Sequence, residues 1–141
     1  MFTPGLKDRE GTPVLWLRFN KYRKLGIRDV VKNYMVFIFE QMDRITPKGG
    51  WVVLADMGNI TAANIDLEMF NLNIQVIEKY YPRGEKRWII IDVPPAMVEL
   101  MKLVLSYMSE NLQKTQVFIT KEQVIDYFDD KNILPYIKKM V

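Results

Sequence analysis

The 141 residues, 49% of them hydrophobic, suffice for one domain with a core of its own. Lys and Arg number 20 against 17 Asp and Glu, and the formal charge of +3 is too even to mark a nucleic-acid binder. The absence of Cys and His excludes disulfide frameworks, thiolate chemistry, zinc sites and the commonest general base near neutral pH. Lys7, Asp8, Arg9 and Glu10 interrupt any apolar run of the signal-peptide kind, and no uncharged stretch is long enough to span a bilayer. A soluble, cytoplasmic protein is therefore expected.

Arg9-Glu10-Gly11-Thr12-Pro13 is turn chemistry, and the apolar run Val14-Leu15-Trp16-Leu17-Arg18-Phe19 after it suits a strand. A helix is expected over residues 29–42, where Val30, Val31, Tyr34, Met35, Phe37, Ile38 and Met42 recur at steps of three and four, and Pro47-Lys48-Gly49-Gly50 stops it. Trp51-Val52-Val53-Leu54-Ala55 is the second strand. After a polar connection from Asp56 to Thr61, Asn64 is expected to cap a second helix. Asp66 and Glu68 in its early turns and Lys79 in its last match the helix dipole. Ile65, Met69, Leu72, Val76 and Tyr80 form the expected inward face, and Pro82 ends the helix.

Trp88-Ile89-Ile90-Ile91-Asp92 reads as a third strand and Pro94-Pro95 opens a helix reaching Met108. Thr115-Gln116-Val117-Phe118-Ile119 is a fourth strand, before a short helix over residues 122–128. Strands that are continuous apolar runs, alternating with helices, predict an α/β fold: a mostly parallel β-sheet flanked by helices, as a single domain over residues 1–141.

The helix over residues 96–108 has only Glu99, Lys102 and Ser106 as polar side chains, and steps of three and four gather them into one narrow stripe. A helix apolar around most of its circumference must be covered, line a cavity or meet a membrane. A sandwiched core helix fits the same pattern, but Met97, Met101 and Met108 add the flexible, polarizable side chains that suit changing surfaces.

Motifs for phosphate chemistry are missing: no Gly-x-x-x-x-Gly-Lys run occurs, and no Gly-x-Gly-x-x-Gly follows a strand. Asp56 and Asp92 sit at strand ends, where they cap turns more often than they catalyse. With no Ser elbow and no metal motif, the expectation is a non-enzymatic protein without cofactor or metal. Lys21, Arg23, Lys24 and Arg28, then Arg83, Lys86 and Arg87, form two basic groups interleaved with Tyr22, Tyr80, Tyr81 and Trp88. Such groups are either a solvated rim or a means of meeting anionic headgroups, at about 1 kcal/mol per charge near the surface.

Gly11-Thr12-Pro13-Val14, the Asp56 ending, Tyr80-Tyr81-Pro82 before Trp88-Ile89-Ile90-Ile91-Asp92-Val93-Pro94, Val117-Phe118-Ile119-Thr120 and Asn132-Ile133-Leu134-Pro135 follow one another in a familiar order. In order and spacing they resemble the CRAL-TRIO lipid-binding domain, most closely the CRAL-TRIO domain of motile sperm domain-containing proteins. The resemblance implies a pocket for a hydrophobic molecule, transient contact with membrane surfaces and no nucleic-acid partner. It also implies that the helix over residues 95–108 is a mobile gate with Tyr107 and Met108 at its membrane-facing end. Trp51, Val53, Trp88, Ile90, Val117 and Ile119 are then candidate floor positions, with Met97, Met101 and Val104 facing the cargo from the gate. Arg83-Gly84 stand where many phosphoinositide-transfer members carry Glu-Arg, which leaves Arg83, Lys86 and Lys114 as the candidate headgroup residues. The family's amino-terminal helical lobe is not found in the sequence. The alternative is a protein-interaction module of related α/β topology that docks through the apolar helix and carries no lipid.

Overall fold

The computed structural model describes residues 6–22, 28–46, 50–81 and 85–128. Four strands, β1 (Val14–Arg18), β2 (Trp51–Asp56), β3 (Glu85–Ile91) and β4 (Gln116–Ile119), lie in that order and pair in parallel throughout. Parallel neighbours need crossovers. These are α1 (Arg28–Ile45), α2 (Leu67–Tyr80), and α3 (Val98–Leu105) with α4 (Glu110–Gln113). Right-handed crossovers in a sheet that grows in one direction place every helix on the same face. Ile38, Phe39 and Met42 of α1, Ile74 and Ile77 of α2 and Met101 and Leu105 of α3 do share one core with Leu15, Val53, Trp88 and Ile90 of the sheet.

The opposite face is covered differently. Val14, Trp16, Val52, Leu54, Ile89 and Ile91 pack there against Leu6, Val124 and Phe128. The amino-terminal segment is tied down by Val14 N donating to Leu6 O at 2.9 Å and by Arg9 Nη2 donating to Ile125 O at 2.7 Å. Burial on both faces is the reason these strands are unbroken apolar runs.

The facing of the fourth strand was hidden by its unbroken apolar run, although no residue of β4 is fully buried and Phe118 is 53% exposed. Val117 pairs with Ile89 and Ile119 with Ile91, so both carry the parity of the far face, and Ile119 packs into the second core. Gln116 and Phe118 instead share the helix side with Trp88 and Ile90. Val117 and Ile119 are thus corrected from floor positions to the other side of the sheet, because a continuous apolar run carries no signal of which face a residue takes.

Two helices also differ from expectation. The N-cap of α2 is Asp66, whose carboxylate accepts from Met69 N at 3.1 Å. Asn64 instead closes a 3-10 turn, Ala62–Asn64, in a reciprocal capping box with Thr61. With the start moved, the buried stripe of α2 runs Met69, Ile74, Ile77, and Tyr80 is exposed. The apolar helix over residues 95–108 is a 3-10 turn, Pro95–Met97, followed by the two turns of α3. A separate short helix, α4, follows from its own cap, Ser109, whose hydroxyl accepts from Leu112 N at 3.3 Å. The short helix expected over residues 122–128 is present as a 3-10 helix, Lys121–Asp126. Arg23, Lys24, Pro82, Arg83, Gly84 and the closing Asn132-Ile133-Leu134-Pro135 lie outside the described residues.

Candidate functional site

Between the helix side of the sheet and the pair α1 and α2 lies a cavity of ≈ 510 Å³. Leu17 at the end of β1 and Trp88 of β3 contribute from the sheet, Met35 and Phe39 from α1, and Phe70 and Ile74 from α2. Met101 and Val104 of α3 close one side. Phe70 meets Trp88 edge to face, with ring centroids 6.2 Å apart, which fixes the indole against the α2 wall. Val30 and Tyr34 also line the cavity yet are 60% and 53% exposed, so it opens to solvent beside α1.

Polar residues border part of the lining: Lys21, Tyr22, Asn64, Asp66 and Asn73, with Arg18 at the end of β1 turning its guanidinium away to the other face of the sheet. The segment that follows β1, a 3-10 turn over Phe19–Lys21, is latched to the start of α2. Tyr22 Oη donates to Asp66 Oδ2 at 2.9 Å, and Asn64 Nδ2 donates to Tyr22 O at 2.8 Å. Asp66 is only 8% exposed, and its carboxyl group accepts hydrogen bonds from the Tyr22 hydroxyl and from Met69 N in the first turn of α2. The Arg18 guanidinium lies over the Trp16 ring, 5.3 Å from its centroid.

Of the floor and gate positions expected from sequence, the structure brings Trp88, Met101 and Val104 to the cavity. Trp51, Val53 and Ile90 are on the same face of the sheet but sealed in the core beyond it. Trp51 stacks on Phe39 with centroids 6.4 Å apart and meets Tyr81 edge-on at 6.2 Å. The Tyr81 hydroxyl donates to Glu40, and burial, then that bond, pushes its pKa up to about 12. Met97 packs at the margin of this core without lining the cavity.

The expected membrane end of the gate divides. Tyr107 is 44% exposed, whereas Met108 is 3% exposed, its sulfur accepting from Gln116 Nε2 at 3.0 Å. Met108 is therefore corrected from a membrane contact to an anchor that holds the turn after α3 against β4. A helical stripe drawn to Met108 misses this because α3 ends at Leu105 and the chain then turns. The outer side of α3 carries Leu103, 51% exposed, beside the Lys102–Glu99 ion pair of 3.2 Å. Lys86 pairs with Glu10 at 3.4 Å and Lys114 with Glu110 at 3.3 Å, and neither lines the cavity.

Sequence reasoning missed the α1 and α2 walls and the polar lining. The available signal was the breadth of apolar positions on α1, where Val30, Tyr34 and Phe37 form a second row beside Val31, Met35, Ile38 and Met42, wider than one core-facing stripe needs.

A smaller cleft of ≈ 320 Å³ lies at the carboxyl ends of the strands, lined by Asn20, Asp56, Asp92 and Lys121 among others. Both aspartates serve turns there. Asp56 Oδ1 accepts from Gly58 N at 3.0 Å, and Asp92 Oδ1 from Lys121 N at 2.9 Å, with Asp92 itself in the left-handed region at φ 54°. Among the described residues no group of three or more His, Cys, Asp and Glu side chains could hold a metal ion, and no helix is long and apolar enough to cross a membrane.

The family model of the CRAL/TRIO domain matches residues 1–136. The chain belongs to the CRAL/TRIO family. A crystal structure of Sfh5 has a similar fold, with a TM-score of 0.67 at 15% sequence identity, the match covering 89% of this chain and 50% of the Sfh5 chain. The CRAL/TRIO chain thus spans half the length of that structure, and at this identity the likeness is one of fold. Every residue named around the cavity falls within the CRAL/TRIO match.

Proposed function

We propose that this CRAL/TRIO chain binds a hydrophobic small molecule, a lipid, in the cavity between its sheet and α1 and α2, and exchanges it with membrane surfaces without catalysing a reaction. The observation that carries the proposal is the cavity itself. At ≈ 510 Å³ and lined chiefly by apolar side chains around Trp88, it falls within the range of about 300–1,000 Å³ typical of small-molecule sites. Family membership supports the same class.

In this proposal α3 is the gate. Met101 and Val104 face the cargo on its inner side, while Leu103 and Tyr107 present apolar surface outward, which suits a helix that lies in the interface when the site opens. Met108 stays buried as the anchor of the gate. Native mass spectrometry of the purified chain after incubation with mixed liposomes tests the proposal. One lipid per folded chain is expected, whereas a folded chain with a clean apo mass contradicts it, and a stable dimer with an empty cavity favours a protein-docking module.

A further inference from the structure

We infer that Asn73 selects the cargo: the lipid carries an uncharged hydrogen-bonding group, a hydroxyl, within its apolar body, and that group meets the Asn73 amide. The inference rests on the lipid-binding proposal above and adds the chemical class of the lipid. It starts from the wall that α2 gives the cavity, where Met69, Phe70, Asn73, Ile74 and Ile77 recur at helical spacing. One amide interrupts that apolar stripe. Leucine would suit position 73 better on two counts, since asparagine is the weaker helix former and its amide loses water when a lipid fills the cavity.

The charged and amide side chains elsewhere in the lining have other work. Asn64 and Asp66 belong to the latch with Tyr22, Lys21 is exposed in the turn after β1, and the Arg18 guanidinium lies over Trp16. Among the described residues the Asn73 side chain has no hydrogen-bond partner. A few placed polar groups in an apolar site are what orient a ligand and make it specific. Positions 66 and 73 lie two turns apart on one face of α2, so the amide stands about 10 Å along the helix from the latch. Its neighbours on that wall are Phe70, Ile74 and Ile77, and no cation of α2 lines the cavity among the described residues. An ionised group placed there would be desolvated without a counter-charge. A hydroxyl both donates and accepts, and so uses the amide oxygen and the amide N–H together.

The test titrates the parent chain and Asn73→Leu with hexadecanoic acid and with its derivatives carrying one hydroxyl along the middle of the chain, read by calorimetry and native mass spectrometry. In the parent chain the affinity of the hydroxylated acids peaks at one position of the hydroxyl. Asn73→Leu weakens that isomer about tenfold, the scale of one lost hydrogen bond, and binds hexadecanoic acid at least as tightly as before, since only the hydroxyl uses the amide. Leucine favours both the helix and the wall, so the variant folds. Gln75→Leu, on the exposed side of α2, leaves every affinity unchanged. A flat profile across the hydroxyl positions, or a profile that Asn73→Leu leaves as it was, overturns the inference while lipid binding stands. Failure of hexadecanoic acid and all its hydroxylated derivatives to bind overturns the lipid-binding proposal itself.

Discussion

Replacing Asp66 with Ala tests how the lining of the cavity is held. The side chain does two jobs: it caps α2 by accepting from Met69 N at 3.1 Å, and it receives the Tyr22 hydroxyl at 2.9 Å, fastening the segment after β1 to the helix. Loss of a cap costs about 1 kcal/mol. Loss of a hydrogen bond to a charged group costs about 1.5–3 kcal/mol, toward the upper part of that range because Asp66 is 8% exposed. The sum is about 3.5 kcal/mol, which for a domain of 141 residues lowers the thermal midpoint by roughly 12 °C. Asp66→Asn keeps an acceptor for Met69 N and loses less. Tyr22→Phe removes only the latch, and combined with Asp66→Ala it should cost less than the two separately, with a coupling of about 1 kcal/mol or more. Urea and thermal unfolding followed by circular dichroism measure all four variants. A cost below about 1 kcal/mol for Asp66→Ala, or strict additivity with Tyr22→Phe, refutes the latch.

The gate assignment separates two adjacent residues. Tyr107→Glu leaves stability within about 0.5 kcal/mol, as exposed substitutions do, but suppresses lipid transfer between vesicles; Met108→Glu, at 3% exposure, buries a charge and unfolds the chain. Unchanged transfer in the Tyr107 variant contradicts the gate. A pH series isolates Tyr81, whose folded-state pKa of about 12 lies above its unfolded value near 10, so its contribution is fully present below pH 10 and is lost as pH rises toward 12. Urea unfolding between pH 9 and about 12 should show this loss in the parent chain and a shallower one in Tyr81→Phe.

Much of the fold was legible in the sequence because its signals are local. Pro13, Gly50 and Pro94 bound the apolar runs, and the charge order from Glu68 to Lys79 marks the direction of α2. Parallel pairing followed from runs such as Trp88-Ile89-Ile90-Ile91, which are apolar on both sides. The same lack of alternation withheld the facing of Val117 and Ile119, since an unbroken apolar run reads the same in either register. The site was legible only in part, at Trp88, Met101 and Val104. Its α1 and α2 walls look in sequence like ordinary core stripes; what makes Phe39, Phe70 and Ile74 cavity walls is that α1 and α2 leave space between their side chains and the sheet, and that spacing is a tertiary property. The polar lining was obscured because the two partners of the latch, Tyr22 and Asp66, are 44 positions apart in the chain.

Methionine methyl groups offer the most direct measurement of where the lipid sits. Met35, Met69 and Met101 line the cavity, while Met42, Met57 and Met108 are buried in the same core away from it. In a chain labelled at the methionine methyls and titrated with hexadecanoic acid, the account predicts NMR shifts at Met35, Met69 and Met101 with the second set unmoved. Saturating lipid that leaves those three signals in place, or shifts confined to Met42, Met57 and Met108, would contradict a ligand in this cavity.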